Sequence, residues 1–238
     1  MIWLFPIVFL SFTIQAMTGF GSIVIAVTLA ALFYPIKSIL PILVILDFIL
    51  NTYILLRYFR FINFNILFKK ILPAMSIGFI IGQVIFNYVG AESKRLLGII
   101  VVTLAAFELY NFYRKNSKPL SNLAAIGFFF FAGIVHGIYA SSGPLVVYVV
   151  GKLGIDRTTF RSTLDGLWVL MDIFLIISYF VTGILTVTTV KYTLYLLPVV
   201  IAGLIIGEVL HHRINERNFR GVVYHLLFLT GISILVLG

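Results

Sequence analysis

The 238-residue chain has no cysteine and very little charge, since only 11% of its residues are Asp, Glu, Lys or Arg. The absence of cysteine excludes a disulfide framework, thiol catalysis and cysteine-based metal sites. A soluble domain has about a quarter charged residues, so this chain has too few charges to cover a surface that faces water. With 61% hydrophobic residues, the composition predicts an all-α integral membrane protein, because a spanning helix needs about 20 apolar residues.

Acidic residues are scarcer than basic ones, with 8 Asp and Glu against 17 Lys and Arg. The basic residues lie in short loops between apolar runs and have no aromatic-basic pattern typical of RNA-binding proteins. They therefore indicate orientation in a lipid bilayer, and no nucleic-acid partner is expected. The sequence also lacks a metal-ligand cluster, a nucleotide-binding loop and an ATPase motif, so neither a cofactor nor direct use of ATP is expected.

Apolar runs divide the chain into two similar halves, each with two short runs followed by three long ones. The short runs are Ile2–Met17 and Gly19–Tyr34 in the first half, and Leu123–Gly137 and Gly143–Leu153 in the second. The long runs are Ser38–Leu56, Ile71–Val89 and Leu96–Phe112, and then Ser162–Val181, Tyr192–Leu210 and Gly221–Leu237.

A shift of 125 residues aligns the two halves. It places Asp47 on Asp172, Pro73 on Pro198, and the run from Gly78 to Val84 on the run from Gly203 to Val209. Matches of this kind predict an internal duplication. We expect two membrane repeats, residues 1–116 and 117–238.

Loop charges predict how the repeats are oriented. The basic loops are 57–70, 113–118, 152–161 and 211–220. Placing them inside gives the halves opposite orientations and puts both termini outside a multi-pass protein of the plasma or inner membrane. The turn at 89–95, with Lys94 and Arg95, would then lie outside. Inverted-topology repeats of this kind are typical of secondary transporters.

Each pair of short runs predicts a broken helical hairpin. About 15 residues in a helix cover ~23 Å, less than a hydrocarbon core of ~30 Å. Irregular backbone at membrane depth is tolerated where protein or a watery cavity satisfies its polar groups. The sequence leaves open whether each hairpin is re-entrant or two full spans. We call residues 18–22, Thr-Gly-Phe-Gly-Ser, the first tip and residues 140–144, Ala-Ser-Ser-Gly-Pro, the second tip.

The two tips have the chemistry of an anion site. A helix begins after each tip, and its free N–H groups and dipole favour negative charge. Glycine allows close approach to the backbone, and hydroxyl groups donate hydrogen bonds. Plain helix–helix turns are the alternative. The predicted substrate-binding residues are Gln15, Thr18, Gly19, Phe20, Gly21, Ser22, His136, Tyr139, Ser141, Ser142 and Gly143.

Ionisable residues within apolar runs are a second group of candidates, because such groups are costly in a membrane. Asp47 and Asp172 lie in the middle of equivalent runs, and Asn51 shares a helix face with Asp47. They are candidates for coupling or gating, with a buried structural carboxylate as the alternative. Arg161 is a candidate for a vestibule that attracts anions. The alternative is a helix-surface ion pair with Asp165, four residues later.

The glycine-containing first tip, Gly19-Phe20-Gly21-Ser22, the second tip Ser141-Ser142-Gly143-Pro144 and the duplicated halves resemble the TauE/SafE family of sulfite-exporter-like permeases. The family usually has a richer glycine run than either tip. The resemblance covers essentially the whole chain and implies a permease, expected to be an exporter, for small sulfur-containing anions such as sulfite or organosulfonates. It implies a transporter rather than an enzyme, with the lipid bilayer and a small anion as its partners.

Two other functions stay open at this point. One is a cation-coupled or proton-coupled transporter of another small organic solute, with the aspartates as its ligands. The other is an intramembrane serine hydrolase that uses Ser142 and His136, a pair whose closeness in sequence predicts poor catalytic geometry. Proton coupling of anion transport is a hypothesis, and the sequence leaves a homo-oligomer open.

Overall fold

The structure is a computed structural model that describes residues 1–89, 94–114, 120–211 and 216–237. These residues form helices and no strands, as the sequence predicts. The predicted turn at 89–95 and the basic loops at 113–118 and 211–220 lie partly outside the described residues. The described helices are α1 (Leu4–Thr18), α2 (Ser22–Ala30), α3 (Ile36–Tyr58), α4 (Leu72–Val89), α5 (Lys94–Arg114), α6 (Asn122–Tyr139), α7 (Gly143–Val150), α8 (Arg157–Val181), α9 (Val187–His211) and α10 (Glu216–Leu237).

Six helices in the described part of the chain are long and apolar enough to cross a membrane. They are α3, α4, α5, α6, α8 and α9, and the short helical turn at 66–71 extends α4 at its start. The chain is therefore a multi-pass membrane protein. Each half has two helices joined by a tip, then three long helices, which is the order expected from the apolar runs.

The first hairpin begins and ends on the same side of the bundle. Helix α2 has nine residues and is about 14 Å long, too short to cross the hydrocarbon core. The chain returns to its starting side, because the Trp3 backbone N–H donates to the Tyr34 hydroxyl at 3.2 Å and the Trp3 ring stacks on Phe33. The first tip therefore lies within the protein, at the far end of α1 from this opening.

The second hairpin has the same form but a longer first arm. Helix α6 extends over 18 residues, longer than the apolar run Leu123–Gly137, and by length and composition it is able to cross a membrane. The helix gains length because Ser121 caps its start and Tyr139 continues its end. Helix α7 has only eight residues. Leu120, before α6, and Leu153, after α7, line one cavity, so this hairpin also begins and ends on one side.

The two hairpins open at opposite ends of the bundle. Helix α3 starts beside Tyr34, at the opening of the first hairpin, and its 23 residues extend about 35 Å to the other end. The next residues of the chain there include Lys69 and Lys70, which line the same cavity as the opening of the second hairpin. The tips thus approach each other from opposite sides. A methyl group on Gly143 would lie 3.6 Å from the Phe20 ring.

Glycine faces hold the long helices close together. A methyl group on Gly78 would lie 2.0 Å from the Phe130 carbonyl oxygen, and one on Gly133 would lie 2.1 Å from the Met75 carbonyl oxygen, so α4 and α6 meet backbone to backbone. On the other side of the bundle, Gly207 of α9 packs against Ala16 of α1. Glycines on these faces let the helix backbones approach closely.

Candidate functional site

A small polar cavity lies where the two tips meet. Both hairpins and two long helices contribute to its wall, which consists of Gln15, Gly21, Ser22, Ile23, Val24, Asp47, His136, Ala140, Ser141, Gly143 and Trp168. Seven of these residues are among the predicted site residues. The cavity has a volume of about 20 Å³, which is room for one water molecule.

A chain of hydrogen bonds connects the first hairpin to α3. The Gln15 amide donates to Asn51 Oδ1 at 2.6 Å, and the Asn51 amide donates to Asp47 Oδ2 at 2.8 Å. The Ser22 hydroxyl donates to Asp47 Oδ1, and the Ser22 backbone N–H donates to Gln15 Oε1 at 2.9 Å. All four residues are buried. Because each side chain has a fixed partner, the start of α2 is held against the middle of α3.

The first tip depends on two glycines in the left-handed conformation. Gly19 has φ +84° and Gly21 has φ +103°. This conformation is easy only for glycine, and it turns the chain back within three residues. The Thr18 hydroxyl donates to the Phe20 carbonyl oxygen at 2.8 Å, so this backbone oxygen of the tip has its hydrogen-bond partner within the tip itself. The first turn of α2, from Ser22 to Val24, then faces the cavity.

The second tip is built differently. Ala140 has φ +53°, a strained conformation for a residue with a side chain. The Ser141 hydroxyl donates to the Tyr139 carbonyl oxygen at 3.0 Å, and Pro144 occupies the first turn of α7. Ser142 does not line the cavity but lies 3.0 Å from His136 Nδ1.

His136 is held by stacking as well as by Ser142. Its ring lies parallel to the Trp168 ring, with centroids 6.1 Å apart. Its Nε2 atom is buried and makes no hydrogen bond. The 3.0 Å contact with Ser142 corrects the expectation of poor geometry between these two residues. No described carboxylate is hydrogen-bonded to His136, so nothing orients the ring as in a catalytic triad.

One face of α8 brings four polar or aromatic side chains to the centre of the bundle. Arg161, Asp165, Trp168 and Asp172 follow each other at intervals of four, three and four residues, so they share one side of the helix. All four are buried. The helix-surface alternative for Arg161 and Asp165 is therefore wrong, because both side chains lie inside the bundle, with Arg161 Nε 3.9 Å from Asp165 Oδ2.

Asp172 and Asp47, which the 125-residue shift aligns, lie close to each other. The two carboxylates are close enough to interact electrostatically, and Asn51 lies within reach of both. Neither oxygen of Asp172 makes a hydrogen bond, whereas both oxygens of Asp47 accept one. The pair is thus chemically unequal although the positions are equivalent.

Several predicted residues support the cavity from outside its wall. Thr18, Gly19 and Phe20 shape the first tip, Tyr139 and Ser142 shape the second, and Asn51, Asp172 and Arg161 lie beside or beyond it. Trp168 was missed, although its place in the stripe of α8 could have identified it. Gln83 was not among the predicted site residues, yet its amide donates to the Gly137 carbonyl oxygen and its side-chain oxygen accepts from Ser178, which fixes the end of α6.

Comparison with known proteins gives one family. The family model described as "Sulfite exporter TauE/SafE" matches residues 4–234, nearly the full length. No curated protein and no solved structure is similar enough to count as a match. The family is one of membrane transporters, which agrees with the spanning helices and with the resemblance of the two tips. The chain belongs to the TauE/SafE sulfite exporter family.

Proposed function

We propose that this protein is a secondary permease that exports small sulfur-containing anions, sulfite or organosulfonates, by alternating access around the cavity between the tips. One observation carries this proposal. The tips enter from opposite ends of the bundle and contribute Gln15, Ser22, His136 and Ser141 to one buried polar cavity. A midplane site between two broken hairpins is the arrangement used by many secondary transporters.

The donors around the cavity suit a tetrahedral or pyramidal oxyanion. The Ser22 and Ser141 hydroxyls, the Gln15 amide and the first turn of α2 would donate to several oxygens of an anion once their present partners, such as Asp47 and Asn51, release them. Sulfite and sulfonates each have three oxygens to accept these bonds. A cavity of about 20 Å³ holds water and not such an anion, so binding requires the two tips to move apart.

Packing between the halves supports a rocking motion. Helix α1 packs on α9, and its counterpart α6 packs on α4. Helix α3 packs on α8, and α5 packs on α10. This reciprocal pattern is what two inverted repeats, residues 1–116 and 117–238, would give. We call the end of the bundle that carries Lys69, Lys70 and Lys152 the basic end. On this proposal the basic end faces the cytoplasm of a plasma or inner membrane, and both termini lie outside.

Proton coupling follows from the number of buried carboxylates. Asp47, Asp165 and Asp172 are all buried near one buried cation, Arg161. An anion would meet repulsion there unless some carboxylates were protonated. We therefore include in the proposal that protons accompany the anion.

Flux measurement in liposomes tests this function. Purified protein is reconstituted, and sulfite and methanesulfonate uptake are measured with and without a pH gradient. We expect both anions to move faster than in protein-free vesicles and faster still with the gradient. Ser22→Ala should reduce flux, whereas Ser233→Ala should not, because the Ser233 hydroxyl donates to the Leu229 carbonyl oxygen of its own helix, α10, at an exposed place. Failure of both anions to move would overturn the proposal.

A cation or amine transporter is the second candidate, because three buried carboxylates outnumber the one buried arginine near the tips. Thermal stability of the purified protein separates the two. Stabilisation by sulfite or methanesulfonate supports the anion permease, and stabilisation by amines or metal cations with no response to anions supports the alternative.

A further inference from the structure

The Arg161–Asp165 pair is buried but poorly satisfied. Arg161 Nε and Nη2 and both Asp165 oxygens make no hydrogen bond, and the two groups stand 3.9 Å apart. Asp165 is fully buried, and Arg161 is 9% exposed. Buried polar groups normally have partners, because each unpaired one costs about 1–3 kcal/mol. A pair left in this state is poised to exchange partners.

The surroundings of this pair connect it to the tips and to the basic end. The Arg161 side chain lies against Gly19 of the first tip, and its guanidinium lies 5.8 Å from the Tyr58 ring at the end of α3. The charges that act on Asp165 are Arg161 and Asp47. The short turns that also pack on α8 carry Arg60, Lys69 and Lys70, which are exposed.

The fold does not need charge at this place. On the 125-residue register that aligns Asp47 with Asp172, Ile36 corresponds to Arg161 and Leu40 to Asp165. Both Ile36 and Leu40 are fully buried. The first half therefore packs the equivalent position with apolar side chains, which indicates that the ion pair serves function and not packing.

We propose that Arg161 and Asp165 exchange an anion for a proton at the basic end of the transport path, an inference that rests on the proposed function. An incoming sulfonate or sulfite pairs with the Arg161 guanidinium. Asp165 loses its counter-ion and accepts one proton from water at that end. When the anion leaves, Asp165 releases this proton and pairs with Arg161 again, so one anion and one proton bind and leave together.

Binding as a function of pH tests the exchange. The ligand is methanesulfonate, whose charge does not change from acidic to neutral pH, with sulfite as a second ligand. Wild-type affinity should weaken by up to about tenfold per pH unit above the range where Asp165 titrates, because binding takes up one proton. Asp165→Asn should bind as tightly as acidic wild type at every pH. Asp156→Asn, an exposed capping residue of the same helix, should keep the wild-type profile.

A second variant tests the proposal in a protein that is expected to fold. Arg161→Ile with Asp165→Leu copies the residues of the first half, and replacing a buried ion pair by apolar residues is often neutral or stabilising. This double variant should fold and bind methanesulfonate at least tenfold more weakly. A wild-type pH profile in Asp165→Asn, or wild-type affinity in the double variant, overturns the exchange alone. If wild type binds neither ligand, the proposed function itself fails.

A separate cavity at the basic end carries a second proposal. It has a volume of about 310 Å³, at the lower end of the usual range for ligand sites. Lys69, Lys70 and Lys152 line its polar side, and no aspartate or glutamate is among its described lining residues. Ile126 and Phe129 of α6 form part of its apolar side, and Ile126 is 52% exposed on the outer face of the bundle.

We infer that this cavity binds an anionic phospholipid. Its phosphate would lie among the three ammonium groups, and an acyl chain would follow Ile126 along α6. Clustered lysines at a membrane edge attract anionic headgroups, and an apolar groove beside them favours a lipid over a free anion. The site holds together the start of α4 and both ends of the second hairpin, so a bound lipid should stabilise that hairpin.

Native mass spectrometry with defined lipids tests this site. We expect the full chain to retain phosphatidylglycerol more than phosphatidylcholine. Lys69→Gln with Lys70→Gln should lose at least fivefold in phosphatidylglycerol retention, and Lys37→Gln with Lys191→Gln, the same charge change at the opposite end, should lose little. Equal loss in both double variants, or equal retention of the two lipids, contradicts the proposal. Competition by inorganic phosphate would identify a free-anion site instead.

Discussion

The Arg161 side chain lies directly against Gly19, so that a methyl group on Gly19 would come within 3.0 Å of Arg161 Cγ. Gly19 belongs to the first tip and Arg161 to α8 of the other half. The contact links the turn that shapes the cavity to the buried cation nearest to it. Movement of the first tip toward α8 therefore requires movement of Arg161.

Gly19→Ala should reduce sulfite flux strongly. The new methyl group meets Arg161, and φ +84° costs a residue with a side chain about 1–2 kcal/mol. Gly183→Ala is the matched control, because Gly183 has φ +69° with open space around it. Because alanine is strained at a positive φ in both variants, both should unfold at a similarly lowered temperature. Only Gly19→Ala should lose flux. Equal flux in the two would show that the contact has no role.

Gly133→Ala should lower the free energy of unfolding by about 1–3 kcal/mol, since a methyl group there meets the Met75 carbonyl oxygen at 2.1 Å and forces α4 and α6 apart. Gly127→Ala, on the same helix with nothing within 4 Å, should stabilise by up to about 1 kcal/mol through helix propensity. Thermal unfolding in detergent measures both. Destabilisation by Gly127→Ala to the same extent would contradict the packing argument.

The sequence predicted those parts of the site that follow from composition and local pattern. Charge scarcity predicted membrane helices, and short runs predicted the hairpins. The sequence did not predict which residues on different helices contact each other. The spacing of Arg161 and Asp165 is the same on an exposed and on a buried helix face, so spacing could not place the pair inside. The bond from Gln15 to Asn51 joins α1 to α3, and no local pattern indicates it.

The two aspartates should respond differently to the same change. Asp47 accepts from Ser22 and Asn51, so Asp47→Asn loses a hydrogen bond and about 1–3 kcal/mol. Asp172 accepts none, so Asp172→Asn should keep or raise the unfolding temperature. If the pair carries protons, both variants lose flux driven by a pH gradient. Unfolding and flux are measured on the same preparations, and full gradient-driven flux in both would exclude these residues from coupling.

Ser142→Ala distinguishes a permease from a hydrolase. Its hydroxyl lies 3.0 Å from His136 Nδ1, and Nε2 makes no hydrogen bond. The variant therefore leaves the ring held by ring contacts with Trp168 and Phe79 alone. For a permease we expect weaker sulfite flux and a less stable protein. Ser141→Ala should have a milder effect, because the Ser141 hydroxyl bonds to the Tyr139 carbonyl oxygen.

A hydrolase needs an activated serine, which a fluorophosphonate would label. We expect no labelling of Ser142 in the wild type by mass spectrometry, because the described structure supplies no group to orient His136. Stoichiometric labelling of Ser142 would contradict the permease assignment of this pair.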